Sequence, residues 1–385
     1  MADQPDQKSR SSAGLLPAGL SDLMPEDASR EAAAIASILS SFTALGYQRV
    51  KPPLVEFEDT LLADGPGAAL SGNSFRVMDP QSGQMMAIRA DMTAQIARIA
   101  STRLKHQPRP LRLAYSGDVL RVQPDPLNPE RQLTQVGAEM IGAHQTSHDA
   151  ELAVAALAAL QDAGVGRLTI DLGAPRLLDA ILDADDDLRQ AVSAKDQMLV
   201  KRHGGDHAAL LQDLLDTPMA SVDQIEDKIA NCAKQMPKDA AAMLTALTEM
   251  AGLIRQAMPD VVVTIDPLEA RGFDYHHGVG FAIFSPGIRG ELGRGGRYRT
   301  RIEDAMGEDS TGVTLYLERI LRALQPHSGA SPLYIPHDAG LDVLVAMMRQ
   351  GEICRYGSAD AKDQKAEAKA LGCTHILMDG QKAPI

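Results

Sequence analysis

From Leu268 to Phe281 the chain reads Leu-Glu-Ala-Arg-Gly-Phe-Asp-Tyr-His-His-Gly-Val-Gly-Phe, and Gly295-Gly-Arg-Tyr298 follows closely. An arginine beside a glycine, an acid, consecutive rings and further glycines call for a fold that lets backbone pass close to a ligand, because glycine leaves open the space a Cβ would fill. Such a set suits a small zwitterion: a cation for its carboxylate, rings for its side chain, glycines for room. The β-branched run Val261-Val-Val-Thr-Ile-Asp266 just ahead reads as a strand leading into the stretch.

The 385 residues are enough for a sizeable core and suggest two or three domains. A net charge of −13, 3% aromatics and no Trp argue against nucleic acid: the overall field is unfavourable and base-stacking surfaces are scarce. Cys232, Cys354 and Cys373 are far apart and form no Cys-x-x-Cys pair, so neither a disulfide framework nor a structural zinc is expected. His144/His148 and His203/His207 have helical metal spacing but lack further ligands of the right pattern, so no metal is expected. No stretch approaches the ~20 apolar residues of a membrane span. The polar N-terminus, with 1–14 as a disordered lead, shows no secretory pattern. A cytoplasmic protein is expected.

Apolar spacing predicts a helix over 26–45 with Gly46 as its C-cap, then an extended strand over 47–56 bent by Pro52 and Pro53. Residues 60–74 read as a loop, and 75–93 as a hairpin running into a helix start. Asp91 or Thr93 reads on its own as that helix's N-cap. Two strands, 110–123 and 131–142, flank a proline-rich loop. Gln135 and Glu139, four apart, share one face, whereas Arg112 and Arg121 fit a solvated strand equally well. A helix to about 162, a strand over 167–173 and a helical run from about 175 to 259 follow. Asp309–Arg319, taken alone, reads as an amphipathic helix with Leu315, Leu317 and Ile320. In the tail, 341–346 and 375–378 read as short strands around a helix over 361–370.

The 268–281 stretch with Gly295-Gly-Arg-Tyr298 resembles the histidine-specific signature of histidyl-tRNA synthetases, roughly Arg-Gly-Leu-Asp-Tyr-Tyr-Thr-Gly with a later Gly-Gly-Arg-Tyr. The helix–strand unit around Pro53 resembles motif 1 of class II aminoacyl-tRNA synthetases, which implies a homodimer. The segment Arg89-Ala-Asp91-Met92-Thr93 is similar to Leu-Arg-Pro-Glu-Gly-Thr, whose acid and threonine touch the amino acid. Leu120-Arg121-Val-Gln123 resembles motif 2, whose arginine binds phosphate and carboxylate; Gln135 and Glu139 fall where its later Gln and Glu read the imidazole and amino groups. Arg271 and Tyr275 match the signature, and His276 stands where a second tyrosine is usual. In a synthetase, Arg271's counterpart also assists adenylate chemistry; here it serves equally to hold only a carboxylate.

Departures from the pattern fall on the nucleotide side. The motif 2 acid is Gln123, the loop arginine corresponds to Pro129, and the second glycine of motif 3 is Tyr316, although Arg319 is kept. The tail, with seven acids against six bases, is too short and too neutral for anticodon binding.

The resemblance therefore implies an α+β, class II synthetase-like antiparallel sheet flanked by helices. The core is expected over 15–325, with a helical insertion at about 175–259 and a short α/β segment over 326–385. The pattern is similar to the regulatory subunits of ATP phosphoribosyltransferase. It implies a non-catalytic partner of the short-form catalytic subunit that binds L-histidine for feedback inhibition, without cofactor, tRNA or membrane. The histidine-binding residues it implies are Asp91, Met92, Thr93, Arg121, Gln135, Glu139, Arg271, Tyr275 and His276, with Tyr298 as an additional contact. The alternatives are a truncated synthetase making histidyl-adenylate and a synthetase-like scaffold module.

Overall fold

A computed structural model describes residues 15–63, 65–124, 129–182, 185–219, 222–273, 275–300, 307–324 and 331–385. The expected disordered lead at 1–14 lies outside the described residues. The chain divides into two compact units, Met1–Gln325 and Pro326–Ile385.

In the first unit, α1 (Pro25–Ala44) buries Ala34, Ile38, Leu39 and Phe42, and ends at Gly46, whose φ of +84° suits only a residue without a Cβ. The extended strand expected over 47–56 is two strands in two sheets, β1 (Gln48–Arg49) and β2 (Val55–Phe57). The prolines between them have no N–H to continue a ladder, and the Pro52 and Pro53 carbonyls accept from the buried Arg89 guanidinium instead. The loop expected over 60–74 contains the end of α2 (Glu58–Leu61) and a 3₁₀ turn over Ala68–Asn73. Strands β3 (Arg76–Met78) and β4 (Met85–Ile88) form the expected hairpin, which with β2 makes a three-stranded antiparallel sheet, and α3 (Thr93–Thr102) follows.

The long strands β5 (Leu111–Leu120) and β6 (Gln132–Ile141) pair antiparallel along their whole length. Next come α4 (Thr146–Asp162) and β7 (Thr169–Gly173). The insertion is wholly helical where described: α5 (Leu177–Ile181), α6 (Asp186–Ser193), α7 (Gln197–His203), α8 (Ala208–Leu215), α9 (Val222–Ala233) and α10 (Lys238–Ala257). Strands β8 (Val262–Ile265), β9 (His276–Phe284), β10 (Gly293–Arg299) and β11 (Asp309–Tyr316) complete the main sheet, and α11 (Leu317–Ala323) ends the unit.

The eight-stranded order is β1-β5-β6-β11-β10-β9-β7-β8. Its centre is antiparallel, but β1 runs parallel to β5 and β8 parallel to β7, so the sheet is mixed at both ends. The amphipathic helix read for 309–319 is confined to its last residues. Asp309–Tyr316 pairs with both β6 and β10, and its Thr311, Val313 and Thr314 suit a strand that is ladder-bonded on both edges. One apolar cluster joins α1, α4, α10 and the sheet, through residues such as Phe42, Leu157, Leu247, Phe281 and Val313. A smaller cluster on α3, β5 and β6 includes Met92, Ile96, Tyr115 and Tyr298.

The second unit contains β12 (Leu333–Ile335), α12 (Leu341–Arg349), β13 (Cys354–Tyr356), α13 (Gln364–Ala370), β14 (His375–Met378) and β15 (Gln381–Pro384). Here 341–346, read as a strand, is helix. A short apolar run does not distinguish the two states, and the parallel pairing of β12 with β13 needs a crossover, which α12 supplies.

Candidate functional site

A cavity of about 310 Å³ opens between β6, β9, β10 and β11 and the start of α3. Its floor comes from β6. Gln135 and Glu139, on one face of that strand, are both fully buried. Glu139 Oε1 accepts from Thr93 Oγ1 (3.1 Å) and Tyr115 Oη (3.2 Å), and Oε2 accepts from Tyr298 Oη (2.9 Å). Burial, and secondarily the charge of Asp91, pushes the Glu139 carboxyl up to about 8 although the hydroxyls favour its ionised form. A Cβ at Gly312 on β11 would lie 1.8 Å from Glu139 Oε2, so that glycine makes the space the carboxylate fills.

Beside it, Gln135 joins two segments. Its Oε1 accepts from the Met92 backbone N–H (3.1 Å) and its Nε2 donates to Asp91 Oδ2 (2.8 Å). Asp91 Oδ1 accepts from the Thr93 backbone N–H (2.8 Å), so the local capping role and a place on the cavity wall belong to the same side chain. Met92 is fully buried beneath the cavity.

The ring wall starts β9. Tyr275 stacks on His276 with centroids 4.3 Å apart, and Tyr275 meets Tyr298 edge-on at 5.9 Å. His276 is almost entirely buried, and desolvation first, then the Arg294 charge, pushes its imidazole down to about 3. Its ring is therefore neutral at pH 7, and Nδ1 has no hydrogen-bond partner among the described residues. Arg121 and Arg294 bring guanidinium groups to the wall, the latter paired to Glu291 at 2.7 Å.

Of the residues singled out in the sequence, Asp91, Thr93, Arg121, Glu139, Tyr275, His276 and Tyr298 line this cavity, with Met92 and Gln135 just behind. Arg271 does not. Its side chain is 70% exposed, and its guanidinium donates to the Ser193 carbonyl (2.9 Å) at the end of α6. Gly272, at φ +74°, turns the chain after it, and a Cβ there would meet the Arg294 guanidinium at 1.4 Å. Arg294 occupies the wall instead. Sequence reasoning missed it, although it stands four residues before Tyr298, a spacing that puts both on one face of a strand.

At the rim formed by the end of β11, Tyr316 is half-buried, and desolvation chiefly pushes its phenol up to about 12. The Arg319 guanidinium sits 5.3 Å from that ring's centroid and donates to the Glu291 carbonyl (3.0 Å), so it is occupied beneath the cavity. Arg297 of the Gly-Gly-Arg-Tyr segment turns away and pairs with buried Asp149 at 2.7 Å. A larger cavity of about 420 Å³, lined by Asp27, Glu31, Asp118, Thr134 and Glu318 among others, contains none of the expected residues. Among the described residues no group of three His, Cys, Asp or Glu side chains is arranged to hold a metal ion. No described helix is long and apolar enough to cross a membrane.

Comparison with known proteins gives a consistent result. The family described as Histidyl-tRNA synthetase matches residues 19–320. An ATP phosphoribosyltransferase regulatory subunit of Paramagnetospirillum magneticum is 43% identical over 370 residues, covering 94% of this chain and 96% of that protein. One from Rhodospirillum centenum is 41% identical, covering 99% and 98%. A Bacillus halodurans structure described as an ATP phosphoribosyltransferase regulatory subunit/histidyl-tRNA synthetase superposes with a TM-score of 0.77 at 22% identity, over 93% of this chain and 96% of that one. A Nostoc histidyl-tRNA synthetase superposes with a TM-score of 0.78 at 16% identity, covering 97% and 96%. The two structures share the fold, the two relatives share the sequence along nearly their whole length, and the chain belongs to the ATP phosphoribosyltransferase regulatory subunit family, built on a histidyl-tRNA synthetase-like class II scaffold.

Proposed function

We propose that this chain is a non-catalytic subunit that binds L-histidine in the cavity above Glu139, activates a short-form ATP phosphoribosyltransferase catalytic subunit and makes it sensitive to histidine. The observation that carries this reading is the contrast within one cavity. Its floor holds the buried Glu139 carboxyl on three hydroxyls beside Asp91 and a neutral His276, donors and acceptors suited to an imidazole and an ammonium. Its rim at the end of β11 carries Tyr316 against the guanidinium of Arg319, the arginine that would otherwise meet a nucleotide phosphate.

The names of the relatives support a catalytic partner. Feedback then requires histidine to bind two quaternary states unequally, and a coupling of roughly 1–3 kcal/mol changes activity several-fold to a hundred-fold. Self-association belongs to the same proposal: on the three-stranded sheet Phe57 and Val77 are exposed on one face and Met78 and Met85 on the other, apolar side chains that a second copy could cover. We also assign it no tRNA, on a net charge of −13 that opposes a polyanion, and a cytoplasmic setting.

The test is phosphoribosyl-ATP formation by the short catalytic subunit from the same source, with and without this chain, and with histidine titrated in. Activity that rises on addition and then falls with histidine is expected; no change on addition sinks the reading. A second reading, histidyl-adenylate formation, has Arg121 on the cavity wall in its favour. It requires histidine-dependent ATP–pyrophosphate exchange, which the first reading expects to be absent.

A further inference from the structure

The helical insertion holds the ring wall of the cavity by its backbone. Arg176, just before α5, donates from Nε to the carbonyl of His276 (3.1 Å). Its Nη1 donates to Asp179 Oδ2 (3.3 Å), Asp179 Oδ1 takes an ion pair from Arg189 of α6, and Arg189 also donates to the Leu182 carbonyl (3.0 Å). A ladder of three charged side chains thus runs from α6 to the first residue of β9.

Two further ties hold the approach to β9. Lys195, just past α6, pairs with the buried Asp266, and Arg271 donates to the carbonyl of Ser193. The strand itself is irregular at this point: β9 pairs with β10 through a register shift between Gly296 and Tyr298, and Tyr298 is the partner of His276. A bulge of this kind re-aims side chains and weakens the ladder's control of them. The Arg176 bond therefore gives His276 a support beyond this irregular ladder, and His276, whose buried Nδ1 has no partner among the described residues, lines the cavity.

We infer that Arg176 is a positioning residue. It fixes the His276 peptide so that the imidazole meets the ligand, and through Asp179 and Arg189 it ties occupancy of the cavity to order in the insertion. The inference rests on the reading of the cavity as a histidine site.

The test is calorimetric titration of the full-length chain with L-histidine. Loss of a charge-assisted hydrogen bond in Arg176→Ala should weaken binding by about tenfold. Because Arg176 acts through His276, the same substitution in a His276→Ala background should change affinity by less than about twofold. Hydrogen exchange in α5 and α6 should slow when histidine is added to the wild type and stay unchanged in Arg176→Ala. Should Arg176→Ala fold poorly, Arg176→Lys and Arg189→Ala each carry the test, with a loss of about two- to threefold expected.

Undiminished binding in the Arg176 variants, or losses that simply add in the double variant, would overturn the inference. A wild-type chain that binds no histidine overturns the functional reading beneath it, and the inference with it. A wild type that binds, beside an Arg176 variant that binds equally well, overturns the inference alone.

Discussion

The floor and the rim of the cavity solve opposite problems with similar residue types. At the floor, Glu139 is buried with three hydroxyls aimed at it while Asp91 and Arg121 stay at the open wall, so polar capacity is left for a ligand. At the rim, Arg319 is spent on the Tyr316 ring and the Glu291 carbonyl, so the protein satisfies its own cation. A buried polar group left unmet costs free energy, and a ligand or a neighbour must meet it. The ring wall leaves that role to a ligand at His276 Nδ1, which has no partner among the described residues; the rim fills it internally.

The largest effect is expected from Glu139→Ala. It removes the acceptor of the Thr93, Tyr115 and Tyr298 hydroxyls, of which Tyr115 keeps its bond to Thr314 Oγ1, so histidine affinity measured by calorimetry should fall by about 10- to 100-fold. Unchanged affinity would place the ligand elsewhere and dissolve the contrast.

Tyr316→Gly attacks the other side. It removes the ring over Arg319 and should raise ATP affinity by at least about tenfold in a direct titration. Losing the packed ring and placing glycine within a strand should also lower stability by roughly 3–5 kcal/mol. A variant still blind to ATP would mean that the rim is not what excludes nucleotide.

A smaller, signed effect is expected from pH. Glu139 is raised from its ordinary 4.5 to about 8, so the folded chain keeps a proton that the unfolded chain has lost. Its contribution to stability is full below about 4.5 and disappears as pH climbs through about 8. His276 runs the other way: lowered from 6.5 to about 3, its contribution is present above about 6.5 and is lost as pH falls toward 3. Denaturation midpoints should therefore show Glu139→Gln gaining on the wild type as pH rises from about 4.5 to about 8, and His276→Phe gaining on it as pH falls from about 6.5 to about 3. Parallel curves would deny both groups their buried states.

The smallest effect is expected at Arg271. Its largely exposed guanidinium lies outside the cavity, so Arg271→Ala should alter histidine affinity by no more than about twofold, whereas a large loss would show that the loop turns inward on binding.

Much of this site was legible as periodicity. Gln135 and Glu139 share a face because a strand repeats every two residues, and Asp91 and Thr93 stand where a helix begins. These are local rules, and β5, β6 and α3 obey them. Local rules were weaker where a short apolar run fits two states: 341–346 became a helix because parallel strands need a crossover, and 47–56 divided between two sheets because two prolines could not pair.

What the residue order determined by itself was elements such as α1, β5 and β6 and the face each presents, since these follow from backbone geometry within a few residues. The tertiary structure alone decided which arginine enters the cavity. Arg271 and Arg294 are both beside glycines in the sequence, but the turn at Gly272 sends the first toward the insertion and clears the space the second occupies. It also brought Arg176 to the carbonyl of His276 across one hundred residues of chain, because such a contact depends on how helices pack on a sheet, and no local spacing encodes that.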